Sequence, residues 1–243
     1  MADPRQTAEK LAQELTTLYG PRLRSVVLYG SVPRGEAIPA VSDINLLVLL
    51  DLVDTAALRI ASPLARRWVE AGNSAPLVAS WREWEESADA FAIEVADMRD
   101  AHEVLRGHDP IAHLPEDLSA LRLQCERELR GKLVALRTGL LLSAARPEEI
   151  GALLLRALPS FTTYLRAILR LKGIKPPPRT PDVIREAARV AGFEPEALLQ
   201  AWDSRTVAKP SRAALEDPLT QGYYAAVVRA TEFVDSLSEA KQA

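Results

Sequence analysis

The sequence contains little cysteine, histidine or aromatic residue, and it lacks long hydrophobic runs. Cys125 is the one cysteine, which excludes an intrachain disulfide and a thiolate metal cluster. The histidines at 102, 108 and 113 lie in a turn-rich segment without the compact spacing of a transition-metal site. No apolar run is long enough to cross a bilayer, and the first residues lack a signal-peptide core. We therefore expect a cytoplasmic protein without a membrane partner.

The chain also lacks an excess of positive charge. Its 30 Lys and Arg residues face 33 Asp and Glu residues, which gives a net charge of -3. This balance argues against bulk nucleic acid as a partner, because such proteins usually carry a basic surface. The hydrophobic content of 48% is ordinary for a globular protein, and 243 residues can form one large domain or two small ones.

The first half of the sequence alternates between helical and strand patterns. An opening helix is predicted to end at Gly20-Pro21, and a second helix to run from Asp54 to about Ala71. Ser80 and Glu83 have the spacing of a capping box for a short third helix. Four strands are predicted from β-branched and apolar runs, at residues 25–29, 43–50, 76–80 and 91–96.

The second half reads as helical throughout. Leu-rich helices are predicted at residues 117–143 and 148–172, followed by two shorter helices and a final helix at about 216–240. The turn-rich segment 107–116 is predicted to be a linker. The expected fold class is therefore α+β: a small mixed-sheet α/β domain at residues 1–110, followed by an all-α helical bundle at residues 117–243.

The stretch LYGSVPRGEAIPAVSDINLLVLL, residues 28–50, carries the strongest chemical signal. Gly30 has no side chain, so a phosphate could approach its backbone closely, and the Ser31 hydroxyl could donate a hydrogen bond. Asp43 and Asn45 should share one face of a strand, where two oxygen ligands can face one Mg²⁺. Glu94, in the predicted fourth strand, is the candidate for a further ligand or a general base.

Each of these residues also has a simpler interpretation. Gly30-Ser31 could be an ordinary turn, and Asn45 could hydrogen-bond a loop backbone without touching an ion. Glu94 could be the exposed position of an amphipathic strand, with Asp97 as a rival for the same role. Arg34 could contact phosphate or stay in solvent. In the second half, the polar stretch 160–164 could line an acceptor pocket or cap a proline kink.

Gly30-Ser31, Arg34-Gly35 and the run Ser42–Val48 together resemble the signature of the nucleotidyltransferase superfamily typified by DNA polymerase β. Kanamycin, streptomycin and minimal bacterial nucleotidyltransferases belong to it. The resemblance implies a helix-borne Gly-Ser motif that holds a triphosphate, with Gly30, Ser31 and Arg34 in contact with the nucleotide. It also implies two Mg²⁺ ions held by an Asp-x-Asp pair and a later acid. The predicted helical bundle is similar to the substrate-side domain of the antibiotic-modifying members.

The sequence departs from this signature at Asn45, where the family has a second Asp. The segments FAIEVADMRDAHEVLRGHDP and LRLQCERELRGKL resemble a bacterial subgroup with Asp-Ile-Asn at this place. The resemblance implies transfer of a nucleoside monophosphate from ATP or another triphosphate to a hydroxyl of a small molecule or protein. Asp43, Asn45 and Glu94 would hold Mg²⁺, and Asp43 and Glu94 would act in catalysis. Because a carboxamide adds no charge, the alternative is an impaired nucleotide-binding or interaction protein, such as an antitoxin-like partner. The sequence leaves a homodimer open.

Overall fold

The computed structural model describes residues 3–38, 42–144, 146–205 and 212–239. Parts of three predicted elements lie outside the described residues: residues 1–2 of the predicted first domain, residues 240–243 of the predicted second domain, and with them residue 240 of the predicted final helix. The chain divides into two compact units, Met1–Glu116 and Asp117–Ala243, each with a core of its own.

The described residues of the first unit form a four-stranded sheet and four α-helices. The strands are β1 (Leu23–Tyr29), β2 (Asn45–Leu50), β3 (Leu77–Ser80) and β4 (His102–Gly107). The helices are α1 (Pro4–Tyr19), α2 (Thr55–Glu70), α3 (Trp81–Glu86) and α4 (Ala92–Asp100).

Local capping chemistry sets several helix ends as predicted. Gly20 ends α1 with a φ of +53°, a conformation that residues with a side chain rarely adopt. The Asp54 carboxylate accepts a hydrogen bond from the backbone N–H of Ala57 at 2.6 Å and so caps α2. Ser80 and Glu83 form the predicted capping box at the start of α3.

The sheet has the strand order β3-β2-β1-β4. Strand β1 is antiparallel to β2 and β4, whereas β2 is parallel to β3, so the sheet is mixed. Tyr29 at the end of β1 lies opposite Asn45 of β2 on one side and His102 of β4 on the other. The predicted α+β class with a mixed sheet is confirmed.

Both faces of the sheet are covered. On one face, Leu28, Leu46 and Val48 pack with residues of α1 and α2, including Leu11 and Trp68. The other face presents Val27, Leu47 and Leu49 to a second cluster, whose further buried members are Trp84, Val95, Met98, Ile111 and Leu114. Strand β2 is therefore buried on both sides, as its continuous apolar run predicts. Each of its fully buried leucines stabilises the fold by roughly 1.5–3 kcal/mol.

The strand predicted at residues 91–96 is wrong, because this segment begins helix α4. Val95 donates its backbone N–H to the carbonyl of Phe91 at 2.8 Å, which is a helical hydrogen bond. Nearly every residue from Ala92 to Met98 is buried, so the helix has no polar face that would reveal its period. The fourth strand is instead β4, a half-exposed edge strand that the sequence reading missed.

The segment 107–116, predicted as a linker, packs into the first unit. Ile111 and Leu114 are buried in the cluster around Trp84. The Trp84 indole Nε1 donates a hydrogen bond to the carbonyl oxygen of Pro110 at 3.2 Å. Turn-forming residues in this segment therefore shape a buried connection rather than a free tether.

The described residues of the second unit form five helices, which confirms the all-α second half. They are α5 (Leu118–Ser143), α6 (Pro147–Leu171), α7 (Thr180–Ala191), α8 (Glu196–Ser204) and α9 (Pro218–Glu239). Helix α6 packs against the other four and supplies the centre of the core. Its buried Phe161 lies against Tyr223 of α9, with ring centroids 6.1 Å apart.

Among the described residues, none of the helices combines the length and the apolarity that crossing a membrane would require.

Candidate functional site

Three polar or aromatic side chains line up where β1 ends. Asn45, Tyr29 and His102 occupy directly paired positions on β2, β1 and β4. Paired residues of antiparallel strands face the same side of a sheet, so this row shares the face covered by α4. The His102 ring is fixed by Nδ1, 2.7 Å from the carbonyl of Met98, and by Nε2, 3.3 Å from an Asp109 carboxylate oxygen. Sequence reasoning did not identify Tyr29 or His102, because their alignment depends on strand pairing.

Gly30 follows this row and starts a series of turns through Gly35. Its φ is +85°, in the region that favours glycine. A Cβ atom at Gly30 would lie 3.0 Å from the Asn45 Nδ2 atom, so the missing side chain lets the amide approach the backbone. The backbone N–H of Glu36 donates to the Ser31 carbonyl at 3.0 Å. The predicted turn is present, but residues 30–35 form turns where the family resemblance implies a helix.

Asp43 lies just before β2, exposed to solvent. One of its carboxylate oxygens accepts a hydrogen bond from the Ser74 hydroxyl at 2.8 Å. Ser74 precedes β3, and the parallel pairing of β2 with β3 brings the two preceding segments together. Ile44 between Asp43 and Asn45 is buried under α1 and α2, which anchors the strand entry. Asp43 is thus held in place and remains accessible to a ligand.

Helix α4 brings two acids to the same face of the sheet. Burial, followed by the negative charges of Glu94 and Asp97, raises the pKa of the Tyr29 hydroxyl to about 12. Both carboxylates therefore lie near the Tyr29 hydroxyl. Glu94 is partly exposed, whereas Asp97 is buried. Glu94 therefore lies on a helix and not on the strand that the sequence suggested.

Arg34 and Asp97 form a buried ion pair. An Arg34 guanidinium nitrogen lies 2.7 Å from the Asp97 carboxylate and 2.9 Å from the Asp97 carbonyl oxygen. The two side chains are 9% and 11% exposed, so the Arg34 side chain does not stay in solvent. This pair fastens the turns after Gly30 to helix α4. A phosphate contact by Arg34 would compete with Asp97, and Asp97 is less available than Glu94 as a ligand.

The donor atoms near β2 suit a lightly held magnesium ion. Within the described ranges, no group of three or more His, Cys, Asp and Glu side chains is arranged to hold a metal. Asp43 and Asn45 offer one carboxylate and one amide oxygen, and Mg²⁺ commonly takes its remaining ligands from water and substrate phosphates. This donor set fits one Mg²⁺ shared with a nucleotide. It does not supply the negative charge that a second ion would need.

A cleft of about 580 Å³ in the first unit reaches the turns and the end of the row. Its walls are formed by Asp3, Pro4, Arg5, Val32, Pro33, Gly35, Ala37, His102 and Glu103. Asp43 and Asn45 are not among these wall residues, so the cleft adjoins the glycine turn without containing the metal-ligand candidates.

A polar cluster in the second unit joins α5 to α6. The Lys132 ammonium donates to the Ser160 hydroxyl at 2.5 Å, and the Tyr164 hydroxyl lies 3.4 Å from a Glu128 carboxylate oxygen. Burial lowers the pKa of Lys132, and Glu128 acts in the opposite direction. The bonds of Thr162 and Thr163 to the Pro159 carbonyl support the proline-kink interpretation of residues 160–164, whereas the acceptor pocket stays a prediction. Ser160 and Tyr164 join this cluster, whereas the hydroxyl of Thr162 bonds back to the Pro159 carbonyl at 2.7 Å.

The family model for the nucleotidyltransferase domain matches residues 8–133, more than half of the chain. The chain belongs to this nucleotidyltransferase family. The matched region runs from α1 through the whole sheet and into α5. It therefore includes Gly30, Asp43, Asn45 and Glu94.

Two solved structures were found to be similar to this chain. One is the crystal structure of spectinomycin adenyltransferase AAD(9) from Enterococcus faecialis with ATP and spectinomycin, at 10% identity and a TM-score of 0.61. That likeness covers 95% of this chain and 99% of the adenyltransferase, and at this identity it shows the fold alone. A toxin-antitoxin structure with AMP-PNP is 21% identical over 55% of this chain and 98% of its own, but its TM-score of 0.29 is too low to support a structural argument. Comparison with curated protein sequences gives no significant match.

Proposed function

We propose that this nucleotidyltransferase moves a nucleoside monophosphate from a nucleoside triphosphate, with ATP as the first choice, to a hydroxyl acceptor. The acceptor oxygen would form a bond to the α-phosphorus, the bond to the β-phosphate oxygen would break, and pyrophosphate would leave. The observation that carries the proposal is the accessible Asp43 carboxylate at the start of β2, in a family domain whose neighbouring Asn45 lies against the Gly30 turn.

The turn after β1 is the proposed phosphate-binding element. Gly30 adopts a φ of +85° and has no side chain of its own to cover the turn, and Ser31 is partly exposed. These groups would contact the triphosphate. Arg34 would act mainly by holding the turn through its pair with Asp97, and its positive charge would still favour phosphate nearby.

Asp43 and Asn45 would hold one Mg²⁺, with Glu94 as a further ligand or as the base. A bound Mg²⁺ would neutralise charge on the triphosphate. Glu94 would accept the proton of the acceptor hydroxyl, a role that a partly exposed carboxylate near the row can fill. The Tyr29 hydroxyl is protonated at neutral pH, as in any tyrosine, and the rise of its pKa to about 12 keeps it so at higher pH; it can therefore donate a hydrogen bond.

The acceptor is proposed to be a small molecule or a protein hydroxyl. The net charge of -3 disfavours bulk nucleic acid. The ATP in the AAD(9) structure makes ATP the first donor to test, whereas 10% identity leaves the acceptor open.

The test compares Asp43→Asn with Asp51→Asn at the two ends of β2. Asp51 is exposed and paired with Arg24 at 2.8 Å, so its substitution should leave transfer unchanged. We expect Asp43→Asn to lower Mg²⁺-dependent nucleotide transfer by about 100-fold or more, since one lost charge contact costs several kcal/mol. Transfer is measured with labelled nucleoside triphosphates, a panel of hydroxyl acceptors and pyrophosphate release. Equal activity of the two variants would contradict the proposed role of Asp43.

A second candidate is a nucleotide-binding or interaction protein without catalytic activity, including an antitoxin-like partner. Asn45 is the observation that favours it, because the amide brings no charge to the metal-ligand pair and lies against the turn. In that case the protein would bind a nucleoside triphosphate without releasing pyrophosphate.

A further inference from the structure

The second unit contains a cavity of about 380 Å³ between the end of α5 and the start of α9. Its walls are Arg137, Leu140, Leu141, Ala144, Leu215, Thr220, Gln221 and Tyr224. Arg137, Leu140 and Leu141 of α5 recur at helical spacing and therefore form one face of that helix, and Ala144 follows its last residue. The volume lies in the range of small-molecule sites, which are mostly apolar with a few polar groups.

The cavity has an apolar wall that solvent reaches. Leu141 is 77% exposed, although a leucine side chain gains free energy when it is buried. Leu140 beside it is nearly buried, so the two residues form a continuous apolar surface from the interior to the opening. The apolar part of a ligand lying on this surface would cover Leu141.

Arg137 supplies a fixed positive charge at the same cavity. Its Nε donates to the Tyr224 hydroxyl at 2.9 Å, and its guanidinium carbon lies 5.8 Å from the centre of the Tyr224 ring. Among the described residues, no carboxylate forms an ion pair with Arg137, whereas Arg122 and Arg130 of the same helix are paired with Glu126. A guanidinium held in this way can bind a carboxylate through its terminal nitrogens.

Thr220 provides an independent sign that the cavity accepts a polar group. The residue is 2% exposed, and its hydroxyl oxygen has no hydrogen-bond partner within the described part of the chain. A buried hydroxyl without a partner costs roughly 1–3 kcal/mol. A ligand oxygen reached by rotation of this side chain would remove that cost.

We propose that this cavity binds a small amphipathic carboxylic acid. Its apolar body would lie on Leu140, Leu141 and Leu215, and its carboxylate would pair with Arg137 while bonding the Thr220 hydroxyl. One arginine in largely apolar walls suits a single negative charge better than a triphosphate. The site is therefore separate in chemistry from the proposed nucleotide site of the first unit.

The test uses octanoate as the probe and the full-length protein in calorimetric titrations. We expect octanoate to bind with 1:1 stoichiometry. Octan-1-ol and octylamine should bind at least about tenfold more weakly than octanoate, because neither can form the ion pair with Arg137. Arg137→Gln should weaken octanoate binding by about tenfold or more. The matched control is Arg156→Gln, which removes an exposed arginine of α6 outside the cavity and should leave binding unchanged.

Two further variants separate binding from folding. Ala144→Phe should fill the cavity and abolish octanoate binding while circular dichroism and the melting temperature remain close to the parent values. Thr220→Val should raise the melting temperature of the free protein and weaken octanoate binding, since it removes the unpartnered hydroxyl. No octanoate binding at millimolar concentration, equal affinity for octanoate and octan-1-ol, or unchanged binding by Arg137→Gln would each overturn the proposal.

Discussion

At the scale of single residues, Gly30 and Asn45 depend on each other. Gly30 has a φ of +85°, and any Cβ there would come within 3.0 Å of the Asn45 amide nitrogen. The glycine is therefore required for backbone conformation and for space at once. Asn45 in turn keeps the strand entry polar without adding charge beside Asp43. In the proposed metal site, the side chain at position 45 would therefore limit how much divalent charge can be held.

Asn45→Asp separates an active enzyme from a non-catalytic nucleotide-binding protein. We expect this variant to increase Mg²⁺-dependent transfer by about tenfold or more, because a second carboxylate offsets the charge of a further ion. Transfer of labelled nucleotide is measured over a series of Mg²⁺ concentrations. Gln200→Glu is the matched control, since it adds the same charge at an exposed position of α8 in the second unit.

The outcome decides between the two candidate functions. Activity that appears only in Asn45→Asp would identify the parent chain as non-catalytic. An activity that is already present and unaffected by Asn45→Asp would contradict the idea that Asn45 limits the site.

At the scale of secondary-structure elements, the connection between the glycine turn and α4 organises the site. The side chain of Arg34, which belongs to the turns, forms a buried ion pair with Asp97 of α4. The same helix places Glu94 near Tyr29 and contributes Val95 and Met98 to the core. Helix α4 therefore buries apolar side chains on several sides and makes polar contacts at one edge. This is why its sequence shows no clear helical period of apolar residues.

Breaking this connection should cost much more than breaking an exposed ion pair. Arg34→Met leaves the Asp97 carboxylate buried without its partner, and we expect a loss of about 3–5 kcal/mol in the free energy of unfolding. Arg82→Met removes the exposed pair with Glu86 and should leave the free energy of unfolding almost unchanged. Urea denaturation followed by circular dichroism measures both values.

The double variant Arg34→Met/Asp97→Leu provides the control for burial of an unpaired charge. It should recover much of the stability lost in Arg34→Met, because no charged group then remains buried. If Arg34→Met and Arg82→Met cost the same, the pair does not stabilise the first unit in the way described.

At the scale of the whole molecule, the chain consists of two units with separate hydrophobic cores. Leu28 is fully buried in the first core, between strands and helices that belong to that unit. Leu165 is fully buried in α6 of the second unit. Because these two leucines belong to different compact units, we expect each unit to open independently of the other.

Hydrogen exchange of Leu28→Ala and Leu165→Ala tests this independence. A fully buried Leu→Ala substitution costs about 2–5 kcal/mol. We expect Leu28→Ala to accelerate exchange in β1 and β2 and to leave α6 unchanged, and Leu165→Ala to do the reverse. Mass spectrometry of peptides from both units measures the rates. Faster exchange throughout the chain in both variants would show that the units unfold together.

Prediction from sequence succeeded where the decisive residues are neighbours in the chain. The caps at Asp54 and Ser80, the end of α1 at Gly20 and the double burial of β2 all follow from chemistry within a few residues. It failed at residues 91–96, because a short apolar run fits a strand and a buried helix equally well. The half-exposed β4 was missed for a related reason, since its pairing with β1 is what makes it a strand.

The glycine turn, the Asp-Ile-Asn entry to β2 and the helical second half could all be read from local patterns, since backbone preference and side-chain alternation act over a few residues. Folding alone decided which distant groups meet. Ser74 was brought to Asp43 across 31 positions and Asp97 to Arg34 across 63, and His102 was aligned with Asn45 through β1. These contacts depend on strand order and on how α4 packs, and local patterns carry no information about either.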